Sequence, residues 1–146
     1  MSSLEVPPLI GALLRVPSHA IHRRLIEELN RAGFGDLRLP HMGVLQYPGP
    51  EGCRPGELAE RAGMSKQAMN QLLQSLERLG YIRRSDTETD GRARIVRLTE
   101  RGRAASAKMI EILVNVEADW RETLGDKRFS RLKELLSDVW ISDLVR

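Results

Sequence analysis

Cysteine occurs once in the 146 residues, at Cys53, which excludes an intramolecular disulfide framework and a metal site built from several thiolates of one chain. A reducing compartment is therefore expected. Histidine occurs three times and there is no glycine-rich phosphate loop, so neither a nucleophile with its base and orienting group nor a metal set can be assembled. The reading is that the chain is not an enzyme and carries no cofactor and no metal. No run approaches the ~18 apolar residues of a membrane span, and the N-terminus lacks a basic segment followed by an apolar run and a cleavage site. A cytoplasmic protein with no membrane partner is the expectation. Internal repeats and low-complexity tracts are absent too.

What is present is charge, unevenly placed. The formal net charge is only +3, yet Arg83, Arg84, Arg92, Arg94, Arg97, Arg101 and Arg103 fall in one short stretch. That clustering suits a polyanion. Asp86, Glu88, Asp90 and Glu100 lie among them, so a mixed, solvated surface is the alternative.

Hydrophobic spacing orders the elements. Ile10, Leu13, Leu14, Ile21, Leu25 and Leu29 recur at helical intervals from Pro8 to Asn30, with Pro17 expected to kink or split that helix. Pro40 opens a shorter helix, and a Pro/Gly-rich loop follows from Tyr47 to Pro50. Two helices, Pro55 to Ala62 and Lys66 to Leu79, are then joined only by Gly63-Met64-Ser65. Gly63 suits the left-handed position after a helix, and Ser65 is a ready N-cap. Met69, Leu72, Leu73, Leu76 and Leu79 form the inner stripe of the second helix, while Lys66, Gln67, Asn70, Gln71 and Gln74 form its outer face. After Gly80 the period shortens. Tyr81 to Arg84 and Arg94 to Leu98 read as a hairpin with a polar tip at Asp90-Gly91. Thr99 caps a long helix with Ile110, Leu113, Val116, Trp120 and Leu124 on one face, and Gly125-Asp126 separates it from a last helix, about Lys127 to Asp143, carrying Phe129, Leu132, Leu136, Val139 and Trp140.

A short helix, a tight turn, a longer helix with an amide-rich outer face and a basic hairpin together make a winged helix-turn-helix. Anchored by its apolar stripe, the second helix can enter a major groove. Gln67, Asn70 and Gln71 would then pair with base edges, Lys66 would reach guanine or a phosphate, and Ser65 with the helix N-terminus would offer donors to phosphate. A polar outer face is also what an ordinary surface helix has. Uncharged amides in place of the usual Glu and Lys pairs, followed at once by a basic hairpin, favour DNA.

The same residues resemble the multiple-antibiotic-resistance regulator (MarR) family. Glu57 to Gln67 is similar to its helix-turn-helix, Leu76 to Ile82 to the exit into the wing, and Asp90-Gly91-Arg92 followed by Leu98-Thr99-Glu100-Arg101-Gly102 to its Asp-x-Arg and Leu-Thr-x-x-Gly signature. The resemblance spans about residues 39 to 103 and weakens in the terminal helices. It implies a mainly α fold with a small β-hairpin wing (α+β), and one domain over 1–146, with a winged lobe at 38–100 and dimerisation helices at 1–33 and 100–146. It implies a homodimer on palindromic double-stranded DNA, acting as a transcription regulator, a repressor that a small-molecule effector releases. By the same implication Arg92 at the wing tip enters the minor groove with Asp90 supporting the wing; the clustering of charge itself makes Arg83, Arg84 and Arg94 further candidate DNA contacts. Leu9, Ile10, Leu13, Leu136, Trp140, Ile141 and Leu144 are the expected dimer interface, because they supply more apolar surface than a winged lobe can cover.

Other residues admit two readings each. Cys53 is a redox sensor or a plain loop residue. His19 and His22, with His41 or Glu27, are metal ligands or ordinary helix residues. Trp120 and Trp140 line a ligand pocket or belong to core and interface. The rival to DNA binding as a whole is a winged-helix module for protein association, which would need an apolar or aromatic face on the helix from 66 to 79.

Overall fold

The computed structural model describes residues 7–49, 51–85 and 95–145. Its order is α1 (Ile10–Arg31), α2 (Leu39–Leu45), α3 (Pro55–Ala62), α4 (Lys66–Arg78), β1 (Ile82–Arg84), β2 (Val96–Leu98), α5 (Glu100–Leu124), α6 (Asp126–Ile141) and a final 3-10 turn at Asp143–Val145. The chain forms two compact units, Met1–Ile110 and Glu111–Arg146. The first holds the helix-turn-helix and hairpin.

In the first unit α4 packs on α2 and α3 and against β1. Its Met69, Leu73 and Leu76 are fully buried, together with Leu29, Val44, Leu45, Leu58, Tyr81 and Val96. That core fixes α4 along one stripe and leaves its other side to solvent. The strands pair antiparallel, with Ile82 opposite Leu98, Arg83 opposite Arg97 and Arg84 opposite Val96.

Three expectations need correction. Helix α1 runs unbroken from Ile10 to Arg31 through Pro17. Proline removes one N–H bond, here to the carbonyl of Leu13. Leu13 is exposed and Pro17 half-buried, so that carbonyl can meet water and the helix continues. On α5 the buried positions are Gly102, Ala105, Met109, Ile112 and Val116, while Ile110 is exposed and Leu113 and Trp120 are half-buried. The inner face is thus turned from the stripe expected through Ile110, because the small Ala105 and flexible Met109 fill it beside the larger residues. Cys53, expected in a loop, forms a β-bridge to Val96, its N–H and carbonyl bonded to the Val96 carbonyl and N–H at 2.9 and 2.8 Å.

In the second unit Phe129 is buried at the start of α6, with the Arg121 guanidinium 4.6 Å from its ring centroid. Lys133 and Glu117 form an ion pair there. Leu136, Val139, Trp140 and Ile141 are exposed.

Candidate nucleic-acid interface

The joint between α3 and α4 is set by backbone chemistry. Gly63 takes a left-handed conformation, φ 66° and ψ 32°, which costs a residue with a Cβ about 1 kcal/mol or more. The chain then turns back, and the Met64 N–H bonds the Ala59 carbonyl at 2.9 Å. Ser65 sits extended, and its Oγ accepts from the Ala68 N–H at 3.1 Å. A hydroxyl that accepts at a cap keeps its own O–H to donate to a phosphate. Beyond the cap Lys66, Gln67, Asn70, Gln71 and Gln74 are all exposed on one side of α4.

The hairpin divides two residues that sequence reading placed together. Successive side chains leave opposite faces of a strand. Arg84 turns toward α4, where its Nη2 donates to the Asn70 carbonyl at 3.3 Å and its Nη1 approaches Asn70 Oδ1 at 3.5 Å. Its Nε is buried with no partner among the described residues. Arg83 is exposed on the other face, opposite Arg97. Arg84 therefore ties the wing strand to the outer helix at Asn70. The wing residues Asp90, Arg92 and Arg94 lie outside the described residues.

A polar network not foreseen from sequence holds the root of the wing. Tyr81 is fully buried, and its hydroxyl donates to Asp36 Oδ1. Arg101, at the start of α5, donates to Asp36 Oδ2 at 3.1 Å and to the Leu79 carbonyl, with its guanidinium 4.3 Å from the Tyr81 ring centroid. Burial opposes the Asp36 charge, but the hydrogen bonds from Tyr81 and Arg101 and the guanidinium charge outweigh it and hold the carboxyl below its ordinary value. Burial and the same carboxylate push the Tyr81 hydroxyl well up, so it remains a donor. Asp36 lies just before α2, far from these partners in the chain. Only the signature glycine gave a signal here: the Gly102 N–H bonds Thr99 Oγ at 3.1 Å, and its α-carbon packs close to the Tyr81 carbonyl.

His41 is buried with Nδ1 accepting from the Arg38 N–H at 3.0 Å and Nε2 3.2 Å from Ser75 Oγ. Burial and the nearby Arg38 charge lower its pKa. Both ring nitrogens are thus committed away from His19 and His22, and among the described residues no group of three metal-ligating side chains comes together. Cys53 is buried, its thiol 3.4 Å from Glu57 Oε2, and burial with that carboxylate raises its pKa. Both effects oppose formation of the thiolate, the form that reacts. Trp140 is exposed and Trp120 half-buried.

Comparison with known proteins places this geometry. The MarR family profile matches residues 36–93. The chain is 35% identical over 81 residues to the uncharacterized HTH-type transcriptional regulator YfiV of Bacillus subtilis (strain 168), covering 49% of this chain and about half, 51%, of that one. It is 27% identical over 139 residues to the HTH-type transcriptional regulator PecS of Dickeya dadantii (strain 3937), covering 93% of this chain and 83% of PecS. Its fold matches that of S. aureus MepR in a crystal structure with DNA, at a TM-score of 0.77 and 20% identity, over 92% of this chain and 98% of MepR.

Proposed function

Because this chain belongs to the MarR family of winged helix-turn-helix regulators, we propose that it is a sequence-specific double-stranded DNA-binding transcription regulator. It works in the cytoplasm as a homodimer on a palindromic operator, as a repressor that a small-molecule effector releases. The observation that carries this reading is α4: Met69, Leu73 and Leu76 of its apolar stripe are fully buried, with Leu72 and Leu79 half-buried, its N-terminus is capped by Ser65, and the opposite face presents Lys66, Gln67, Asn70 and Gln71 with no apolar residue among them. Amides at those positions read base edges, adenine above all, while the capped N-terminus and Lys66 meet phosphate. The match to the DNA-bound fold of MepR supports the docking mode in which such a helix lies in the major groove. Arg92 and Arg94 extend the contact into the flanking minor groove, with Asp90 supporting the wing tip. No helix among the described residues is long and apolar enough to cross a membrane.

The test is selection of genomic DNA fragments by the purified chain, followed by sequencing. The expected result is enrichment of a palindrome with half-sites about one helical turn apart. A folded protein that enriches no sequence would overturn the reading and favour a winged-helix module for protein association.

A further inference from the structure

The wing root carries a second cationic feature on the side away from α4. Ile82 and Val96 are buried and Arg84 reaches Asn70, so strand alternation sends Arg83 and its cross-strand partner Arg97 to the opposite face. Like charges directly opposite one another in a hairpin destabilise it unless an anion lies between them. Arg103, in the first turns of α5, joins them, although a helix N-terminus favours acidic residues. With Pro48, Gly49 and Leu98 these three arginines line a cleft of ≈ 550 Å³. Among the described residues no carboxylate pairs with any of the three. Arg97 gives one N–H to Ser85 Oγ at 3.0 Å and Arg103 one to the Leu98 carbonyl at 3.0 Å. The guanidinium groups of Arg97 and Arg103 are thereby held in place while most of the five donors of each remain available.

We propose that this cleft is a phosphate-binding site, separate from the base-reading face of α4. The forked donors of Arg83, Arg97 and Arg103 suit phosphate oxygens, and Pro48 and Leu98 supply apolar surface for an attached organic group. The cleft has the size of a small-molecule site rather than of a single ion. Its place on the sheet face turned from α4 favours a free organic phosphate over the operator backbone as the source of the group.

The first test needs no DNA: calorimetric titration of the full chain with pyrophosphate against sodium chloride at matched ionic strength. Saturable binding is expected, weakened roughly tenfold or more by Arg83→Ala and by Arg103→Ala, and unchanged in Arg131→Ala on α6. Arg83 is exposed, so its variant should keep the wild-type circular dichroism spectrum and report on the site alone. On a DNA fragment recovered as above, retained pyrophosphate binding by the DNA-bound protein assigns the site to a free ligand. Competition between the two, with a salt slope of DNA binding smaller by about one in Arg103→Ala, assigns it to the DNA backbone. Absence of saturable pyrophosphate binding in the wild type, with an unaltered salt slope in both variants, overturns the proposal.

Discussion

A Cβ added to Gly102 would collide with the Tyr81 carbonyl oxygen and stand 3.2 Å from Leu98 Cδ2. That carbonyl already accepts the Thr99 N–H at 3.0 Å, so it has little room to move. Glycine to alanine within a helix ordinarily gains about 0.5–1 kcal/mol. Here the sign should reverse, Gly102→Ala costing roughly 1–3 kcal/mol by overpacking. Gly56→Ala on α3, where nothing lies within 4 Å, should be neutral or stabilising. Urea unfolding of both variants at one protein concentration decides it, and equal shifts would remove the close approach as the reason for this glycine. The Asp36 network makes a second prediction at the same scale. Tyr81→Phe removes a buried donor to a carboxylate and should cost about 1.5–3 kcal/mol near neutral pH. Because the folded-state pKa of Asp36 is lowered, its stabilising contribution is present above the unfolded value, about 3.9, and is lost as pH falls through the folded value below it. The gap between wild type and variant should therefore close in acid, and a gap independent of pH would mean that the hydroxyl acts by packing alone.

At the scale of elements, what could be read from sequence was what depends on neighbours in the chain. Pro55, Gly63 and Ser65 mark the bounds of α3 and the start of α4 because first-turn proline, left-handed glycine and N-cap serine are local devices, and each does that work in the structure. The inner and outer faces of α4 follow from period alone. What escaped was set by partners distant in sequence: the bridge of Cys53 to Val96, the pairing of Asp36 with Tyr81 and Arg101, and the turned inner face of α5. Adjacent arginines on a strand were read as one basic patch, although alternation alone separates Arg83 from Arg84. That separation refines the expectation for α4. Asn70 is partly engaged by Arg84, whereas Gln67 is exposed, which makes Gln67 the cleaner probe of base reading. Gln67→Ala should relax discrimination at particular base pairs by about 1–3 kcal/mol, measured by competition binding on a library of operator variants. Uniform weakening across all sequences would assign Gln67 to the backbone instead. Ser65→Ala should lower stability by about 1 kcal/mol through loss of the cap, whatever the DNA sequence.

For the whole molecule the unanswered demand is apolar surface. Leu9, Ile10 and Leu13 in the first unit and Leu136, Trp140, Ile141 and Leu144 in the second are exposed, with Leu9 at 74%, Trp140 at 75% and Leu144 at 83%. Leu14, Val16, Leu135, Val139 and Val145 widen the same two stretches. Single exposed apolar residues are ordinary on a monomer, but runs of this kind mark a surface that another molecule covers. A second copy of the chain is the occupant that the proposed palindromic operator would call for, since two-fold symmetry in the protein would match that of the half-sites. Trp140→Asp combined with Leu144→Asp places two charges where the single chain has no core to disturb. Helical content should persist, so the variant tests association without unfolding the chain. If the proposed dimer forms through these residues, the wild type should sediment as a dimer and the variant as a monomer, because burying two unpaired carboxylates costs several kcal/mol. Its affinity for the palindrome should fall toward that for a half-site. A variant that still sediments as a dimer at the wild-type concentration, with unchanged operator affinity, would place the dimer contact elsewhere than on these C-terminal residues.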